Sequence, residues 1–422
     1  MKILLSAIAC NPYWGSEASI GWKVAKCIAR HHEVWVLTSE DNRENMTKGI
    51  QEGLVPENMH VHYCGKEAVA CHPNRMIARL KSWTQYLDFS RSILPAAMEL
   101  HRQVGFDLVH HVTYATWRVP IKLWKMPVPF VWGPLGGNER FPLNFMPMLS
   151  PATMAFEFAR YAANAVGTIS RNVRQCARNS TFILASNADA WDKLHSLRGN
   201  DKGLHRLLVT FFTPAELAKL NIEDNPKPFD GTLKLFCSGN LEGRKGVALA
   251  IRGLAIAKKQ GVKFSYRIGS QGPESDYLRR LVKELGLEQD VVFGEQLPRE
   301  GYVEELKKTH VYLLPSLRDN APSTLMEAML AGCVPIVAAC GGPAEIVNAD
   351  CGFPIPVKTP DQIVSGVAEA LTQLYKEPER IAVMGRNARE RIRNHYCEDY
   401  YWSVLSGVYD EALKLSSVGS LS

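Results

Sequence analysis

The chain of 422 residues predicts an α/β protein built from two doubly wound, Rossmann-like domains. Short β-rich runs alternate with helical patterns along its whole length, which is typical of parallel sheets covered by helices on both faces. The alternation restarts after a polar segment rich in Pro and Gly, so one sheet follows another. The length also favours two domains, because a single domain usually holds about 50 to 250 residues.

The predicted strands divide into two sets. The first half contains KILLSAIA, EVWVLT, MHVHYC, DLVHHV, PVPFVW and TFILAS, and the second half contains TLKLFCSG, VKFSYRIG, DVVFG, HVYLLPS and VPIVAA. We place the first domain at residues 1–220, a linker at 221–231 and the second domain at 232–388. Residues 389–422 form a helical tail that we expect to pack back towards the first domain, with a cleft between the two domains.

Composition points to an ordinary globular protein. The start, MKILLSAIAC, lacks a basic region followed by a long apolar segment, so it favours a first strand over a signal peptide. No stretch approaches the roughly 18 apolar residues of a membrane span. The ten cysteines form no Cys-x-x-Cys pair, which indicates reduced thiols. We therefore expect a cytoplasmic protein, unless it lies on the inner face of the membrane.

The net charge of +6 is concentrated in the first half of the chain, where Lys and Arg exceed Asp and Glu by seven over residues 1–205. Basic residues there flank apolar segments: Arg75, Arg79, Lys81, Arg91, Arg160, Arg171, Arg174 and Arg178. Such a surface suits anionic lipid headgroups, although solvated helix faces would give the same pattern. Nucleic acid is disfavoured because no binding module is recognisable.

The segment Pro315–Gly332, PSLRDNAPSTLMEAMLAG, places two carboxylates on either side of a predicted helix start. Asp319 lies in a loop with Asn320 and Ala321. Pro322, Ser323 and Thr324 suit a helix N-terminus, where unpaired N–H groups and the dipole attract a phosphate. Glu327 lies about one turn further along, within reach of the hydroxyl groups of an attached sugar.

Glycine-rich loops follow several predicted strands, and ligands of open α/β sheets bind beyond the carboxyl ends of strands. Gly239, Asn240, Arg244 and Lys245 follow one strand, and Gly269 follows the next. Lys245 could meet a diphosphate or simply be solvated, and the Walker pattern is absent. In the first half, Gly15, Ser16 and Glu17 precede a helix, and Gly136 and Gly137 form a second loop. Plain tight turns would explain these two loops equally well.

No metal or other cofactor is expected. The chain has no Asp-x-Asp pair, the metal clamp of many nucleotide-sugar enzymes. A zinc cluster of His60, His62, Cys64, Cys71 and His72 matches no familiar spacing. The charge of a leaving diphosphate would instead be met by Lys245, Arg244 and helix N-termini.

The ordered segments LFCSGNLEGRKG, IGSQGP and VVFGEQLPREGYVEELKKTHVYLLPSLRDNAPSTLMEAMLAGCVPIVAACGGPAEIV resemble the donor half of retaining glycosyltransferases of family 4. GSEASIGW, DLVHHVTY and VWGPLGGNE resemble the acceptor half more loosely. The resemblance implies the GT-B fold and a nucleotide diphosphate sugar as donor. It places Asp319 and Glu327 at the two positions of the Glu-x7-Glu pair, where the first contacts the donor sugar and the second the ribose.

The chain departs from this family pattern at three places. Asn240 replaces an Arg that meets the diphosphate, and Arg244 is a candidate substitute. Asp319 is one methylene shorter than Glu. The family commonly has a catalytic His at the position of Val112, and here His110 and His111 stand just before it. His110 shares a strand face with Val112 and is the favoured candidate of the two, but a buried structural role is an equal alternative for either.

The residues therefore predict a retaining glycosyltransferase that acts on a glycan or lipid-linked glycan acceptor in surface polysaccharide biosynthesis. An epimerase on the same fold is an alternative, but no acid and base pair is evident for it. A non-catalytic protein that binds nucleotide sugars or glycans is a second alternative, suggested by Asn240 and Asp319.

Overall fold

A computed structural model describes residues 1–15, 17–65, 75–220 and 227–419. By their contacts these residues form two compact units. Unit 1 comprises residues 1–138, residues 163–210 and the described chain from residue 398 onward. Unit 2 comprises residues 139–162 and 211–397. Within the described ranges, no helix is long and apolar enough to cross a membrane.

The described strands form two parallel sheets. Unit 1 contains β1 (Lys2–Ala7), β2 (Glu33–Ser39), β3 (Met59–Cys64), β4 (Leu108–Thr113), β5 (Phe130–Leu135), β6 (Phe182–Ala185) and β7 (Leu204–Arg206), in the order β3-β2-β1-β4-β5-β6-β7. Unit 2 contains β8 (Leu233–Cys237), β9 (Phe264–Gly269), β10 (Val291–Gly294), β11 (Val311–Leu313), β12 (Val334–Ala338) and β13 (Phe353–Ile355), in the order β10-β9-β8-β11-β12-β13. Both orders reverse beside the first strand, as in doubly wound sheets, so the predicted fold class is confirmed.

Helices connect and flank the strands. In chain order they are α1 (Glu17–Ala29), α2 (Arg43–Gln51), α3 (Arg75–Val104), α4 (Pro151–Ile169), α5 (Arg171–Asn179), α6 (Ala188–Arg198), α7 (Pro214–Lys219), α8 (Val247–Lys259), α9 (Ser275–Glu284), α10 (Arg299–Lys308), α11 (Ser323–Leu330), α12 (Gly341–Ile346), α13 (Pro360–Lys376), α14 (Glu379–His395) and α15 (Glu398–Gly419). Strands β4, β5 and β6 are buried along their whole length and β1 is buried except at Lys2, which explains why their sequences are mainly apolar.

Contacts group residues 139–162 and 211–220 with unit 2, although both were drawn in the first domain, whereas the tail from residue 398 onward groups with unit 1 as expected. Residues 139–162, drawn in the first domain, group with unit 2, where Glu157 forms an ion pair with Arg318 at 2.7 Å. The helix α15 groups with unit 1, where Glu398 pairs with Arg30 at 2.9 Å. Tyr401 and Tyr409 of α15 are buried there.

The first described residue after the linker gap, Lys227, is anchored within unit 2. Its Nζ donates to the carbonyl oxygens of Leu306 at 3.0 Å and Thr309 at 2.5 Å, at the C-terminal end of α10. A cation at this end of a helix meets the negative pole of the dipole. Residues 221–226 of the predicted linker lie outside the described residues.

Candidate functional site

The predicted helix start after β11 is confirmed. Helix α11 begins at Ser323, Pro322 occupies the N-cap position with extended backbone, and Glu327 lies in the second turn. Pro322 has no polar side chain with which to cap the first amides, so that end of the helix keeps donors for a ligand. Thr324 is fixed by the hydroxyl of the buried Tyr312, 2.9 Å from its Oγ1.

Asp319 meets Lys245 in the loop that leads to α11. The Lys245 Nζ lies 2.5 Å from Asp319 Oδ2, and Arg244 Nη1 lies 4.0 Å from the same oxygen. These three side chains are 12 to 22% exposed, so water screens their charges only in part. The loops after β8 and β11, which the sequence predicted separately as ligand loops, are thus one cluster of charges.

Backbone contacts hold these two loops together. Arg244 Nη1 donates to the Arg318 carbonyl at 2.9 Å, and the Leu317 amide donates to the Arg244 carbonyl at 2.8 Å. Gly246 has φ +69°, and a side chain there would lie 2.1 Å from the Pro315 carbonyl oxygen. Only glycine permits this approach, which explains the Lys-Gly sequence after the turn.

Asn240 and Arg244 share a carboxylate. Asn240 Nδ2 donates to Glu242 Oε1 at 2.7 Å, and Arg244 Nε donates to Glu242 Oε2 at 2.6 Å. Arg244 therefore lies close to Asn240, the position where the family has an Arg, as it must if it is to replace that Arg. Glu242 already accepts a hydrogen bond from one of the Arg244 nitrogens.

Glu327 is paired with a residue that the sequence did not single out. Arg299, the first residue of α10, donates from Nη1 to Glu327 Oε1 at 2.8 Å. Glu327 is 17% exposed, whereas Arg299 is 48% exposed. The Tyr302 hydroxyl also bonds to this carboxylate, which helps to raise the pKa of Tyr302 after the larger effect of burial.

A pocket of about 610 Å³ opens beside this pair, a volume in the usual range for small-molecule sites. Its lining residues are Ser238, Gly239, Asn240, Gly269, Ser270, Gln271, Gln296, Leu297, Arg299, Tyr302, Thr324 and Glu327. They come from the carboxyl ends of β8, β9 and β10 and from the first turns of α10 and α11. The pocket therefore borders the point where the strand order of unit 2 reverses, between β8 and β11.

The candidate residues of unit 1 also lie beyond strand ends. Gly15 has open space around it, and Ser16 lies outside the described residues. Burial raises the pKa of Glu17 to about 7, while the Ala115 amide opposes this shift. Glu17 Oε2 is buried, with no partner in the described ranges.

The Gly136 amide donates to the Ala115 carbonyl at 3.0 Å, so the loops after β1, β4 and β5 meet near Ala115. Gly137, beside Thr116, has φ +92°.

Both candidate histidines are buried in unit 1. His110 Nε2 lies 2.7 Å from the Gly133 carbonyl, which only accepts, so Nε2 carries the proton and Nδ1 accepts from Tyr409 Oη at 2.7 Å. Desolvation lowers the pKa of His110 to about 4 and that of His111 to about 3. His111 Nδ1 lies 2.8 Å from Ser6 Oγ. The bonds of His110 favour the structural alternative for this residue.

Comparison with known proteins assigns the second half of the chain. Residues 219–391 match the family described as Glycosyl transferases group 1. The amylovoran biosynthesis glycosyltransferase AmsK of Erwinia amylovora is 31% identical over 186 residues, which are 42% of this chain and 44% of that protein. The chain spans less than half the length of this and other curated relatives.

Solved structures extend the likeness to both units. Sucrose-phosphate synthase of Thermosynechococcus elongatus has a TM-score of 0.59 and 17% identity, covering 98% of this chain and 99% of its own. HepE of Anabaena, in complex with UDP and glucose, has a TM-score of 0.57 and 14% identity, covering 97% of this chain and all of its own. At these identities the likeness shows the fold alone. The two parallel-sheet units of the chain are those of the GT-B fold.

Arg318 and Arg299, both within residues 219–391, make contacts that the sequence could not indicate. Glu157 belongs to α4, 161 residues before Arg318, and nothing in its local sequence marks it as a partner of the loop with Asp319. Arg299 lay in a run of charged residues at a helix start, where solvation is the ordinary expectation.

In the described part of the chain, no group of three or more His, Cys, Asp and Glu side chains could hold a metal; Cys71 and His72 lie outside it.

Proposed function

We propose that the protein is a retaining glycosyltransferase. It transfers a sugar from a nucleotide diphosphate sugar to a glycan or lipid-linked glycan in surface polysaccharide biosynthesis. The observation that carries this proposal is the cluster at the carboxyl edge of the unit 2 sheet. There the start of α11, Lys245 and Asp319 lie in loops that flank the strand reversal, and Glu327 lines the adjoining pocket.

The charges of this cluster suit a diphosphate leaving group. The amides at the start of α11 and the Lys245 ammonium would hold the phosphates, with Arg244 beside them. Glu327 would accept hydrogen bonds from the ribose, and Asp319 would contact the donor sugar. This arrangement supplies positive charge without a metal, so we propose metal-independent transfer. Such fixed charges act most strongly where the developing negative charge is shielded from water.

Retention of configuration is part of the proposal. The acceptor oxygen forms a bond to the anomeric carbon on the face from which the diphosphate leaves. The bond to the diphosphate breaks with its electron pair, and the departing phosphate takes the acceptor proton. This route requires no side-chain nucleophile. The names of relatives such as AmsK, and the UDP and glucose bound to HepE, support a nucleotide-sugar donor and a polysaccharide product.

A protein that binds nucleotide sugars without catalysis is a second candidate. Asn240 and Asp319 both depart from the family pattern, and Asp319 is neutralised by Lys245. Binding without turnover of any donor and acceptor combination would favour it. An epimerase would convert the donor sugar in the absence of an acceptor.

Donor binding can be tested by thermal unfolding with UDP, GDP, ADP and TDP sugars in EDTA. We expect one donor class to raise the melting temperature, because a ligand at about 100 times its Kd adds roughly 2.7 kcal/mol of stability. The stabilising donor is then incubated with glycan acceptors, and the anomeric configuration of the product is read by NMR. No shift with any donor, or inversion in the product, would contradict the proposal.

We also propose that unit 1 lies on the cytoplasmic face of an anionic membrane. Val166 and Ile169 near the end of α4 are 65% and 70% exposed. Helix α5 follows with exposed Arg171, Arg174 and Arg178. Apolar side chains beside a row of cations suit the interface of anionic lipids. The side chains of Arg75, Arg79 and Lys81 lie outside the described residues, and Arg91 is exposed.

Membrane contact can be measured by flotation with vesicles that contain phosphatidylglycerol. Replacing Arg171, Arg174 and Arg178 together by Gln should lower partitioning about 100-fold, since each cation near the surface contributes about 1 kcal/mol. Replacing Val166 by Ser should also weaken it. Val383→Ser in unit 2 is the matched control, because Val383 is 51% exposed and lies on α14. Flotation that is insensitive to salt and to these changes would refute the membrane contact.

A further inference from the structure

Resting on the proposed function, we infer that Arg299 selects the nucleotide base of the donor. It favours bases that present a carbonyl oxygen, namely those of uridine, thymidine and guanosine nucleotides, over the base of adenosine nucleotides. The inference concerns one side chain in the pocket of unit 2. It starts from the ion pair that Arg299 forms with Glu327.

The position of Arg299 follows from the order of groups along the pocket. The phosphate-binding end of α11 begins at Ser323, Glu327 lies one turn further along, and Arg299 contacts Glu327 at 2.8 Å. A nucleotide has the same order of groups, because its ribose lies between its phosphates and its base. A ribose held by Glu327 therefore places the base beside the guanidinium of Arg299.

The Arg299 side chain is held at one end and remains available at the other. One guanidinium nitrogen, Nη1, donates to Glu327. The central carbon of the guanidinium lies 5.7 Å from the centroid of the Tyr302 ring. Tyr302 is itself buried and lies 3.4 Å, through its hydroxyl, from the Thr324 carbonyl. The side chain of Arg299 is nevertheless 48% exposed, so its remaining donors are open to a ligand.

The chemistry of the lining residues gives the direction of the preference. Among the described residues that line this pocket, Arg299 is the only cation, and its guanidinium donates hydrogen bonds without accepting any. Uracil, thymine and guanine present carbonyl oxygens to such a donor. Adenine carries an amine at the ring position where guanine has its carbonyl oxygen, so a guanidinium placed there would face it donor to donor. Charge-assisted hydrogen bonds of this kind are strong enough to discriminate between ligands.

The test measures Kd for UDP, TDP, GDP and ADP by titration calorimetry with the full chain. The wild type should bind at least one of the first three more tightly than ADP. Arg299→Ala should reduce that preference about tenfold, as expected for the loss of one charged hydrogen bond. A general loss of positive charge would weaken all four nucleotides alike and cancel in the ratio. Arg299→Lys keeps the charge without the planar fork and should give an intermediate ratio.

Two controls separate this role from others. Arg252→Ala removes an exposed Arg of α8 outside the pocket lining and should leave every Kd unchanged. Glu327→Gln should weaken all four nucleotides, because they share the ribose. A wild type that prefers ADP, or a preference that survives Arg299→Ala, would overturn the inference alone. A wild type that binds none of the nucleotides would overturn the proposed donor as well.

Discussion

Replacing Lys245 by Ala should lower the turnover of sugar transfer about 100- to 1000-fold, the usual effect of removing one preorganised group that stabilises developing charge. In the free protein Lys245 neutralises Asp319 at 2.5 Å. When the donor is bound, the same ammonium would face a diphosphate whose negative charge grows as the glycosidic bond breaks. The loss should therefore appear mainly in kcat, measured as product formed at saturating donor.

The control for this substitution is a second Lys and Asp pair of unit 2. Lys258 Nζ lies 2.6 Å from Asp290 Oδ2 but outside the pocket lining and its loops, and Lys258 is 43% exposed. Lys258→Ala should leave turnover within about twofold, because exposed pairs contribute little. Asp319→Asn separates two roles of the cluster, since it leaves Lys245 free to bind phosphate but removes the contact to the sugar. Full turnover in Lys245→Ala would remove the diphosphate role from this residue.

How much of the fold could be predicted depended on the length of each pattern. The runs that became β1 to β6 and β8 to β12 were rich in β-forming residues and long enough to mark strands. The three-residue strands β7 and β13 were missed because LHR and FPI show neither alternation nor an apolar run of useful length. The helical pattern of α4 can be read from neighbouring residues. The grouping of residues 139–162 with unit 2 cannot, because it depends on tertiary contacts.

The candidate site shows the same limit. Local residue types predicted the start of α11 at Pro322 and Ser323, because helix termini leave a signal in the sequence. Lys245 and Asp319 were both singled out, but their pairing across 74 residues was not. Pairing across that distance follows from the parallel order of β8 and β11, which places their carboxyl ends side by side.

Replacing Glu157 by Ala should lower the free energy of unfolding by about 3 to 5 kcal/mol, the typical cost of breaking a buried ion pair on one side. Glu157 Oε1 lies 2.7 Å from Arg318 Nη2, and the two side chains are 2% and 14% exposed. The substitution leaves the Arg318 guanidinium without its carboxylate in a place that water reaches poorly. Urea unfolding of the full chain, followed by fluorescence, measures the loss.

The double variant Glu157→Ala with Arg318→Met should recover part of this stability, because it removes the uncompensated charge as well as the pair. The control is Glu377→Ala, which breaks an exposed pair with Arg380 and should cost less than about 1 kcal/mol. A loss below that value in Glu157→Ala would mean that Arg318 finds solvent or another partner. Since Arg318 directly precedes Asp319, a loss of the expected size should be accompanied by weaker binding of the donor sugar.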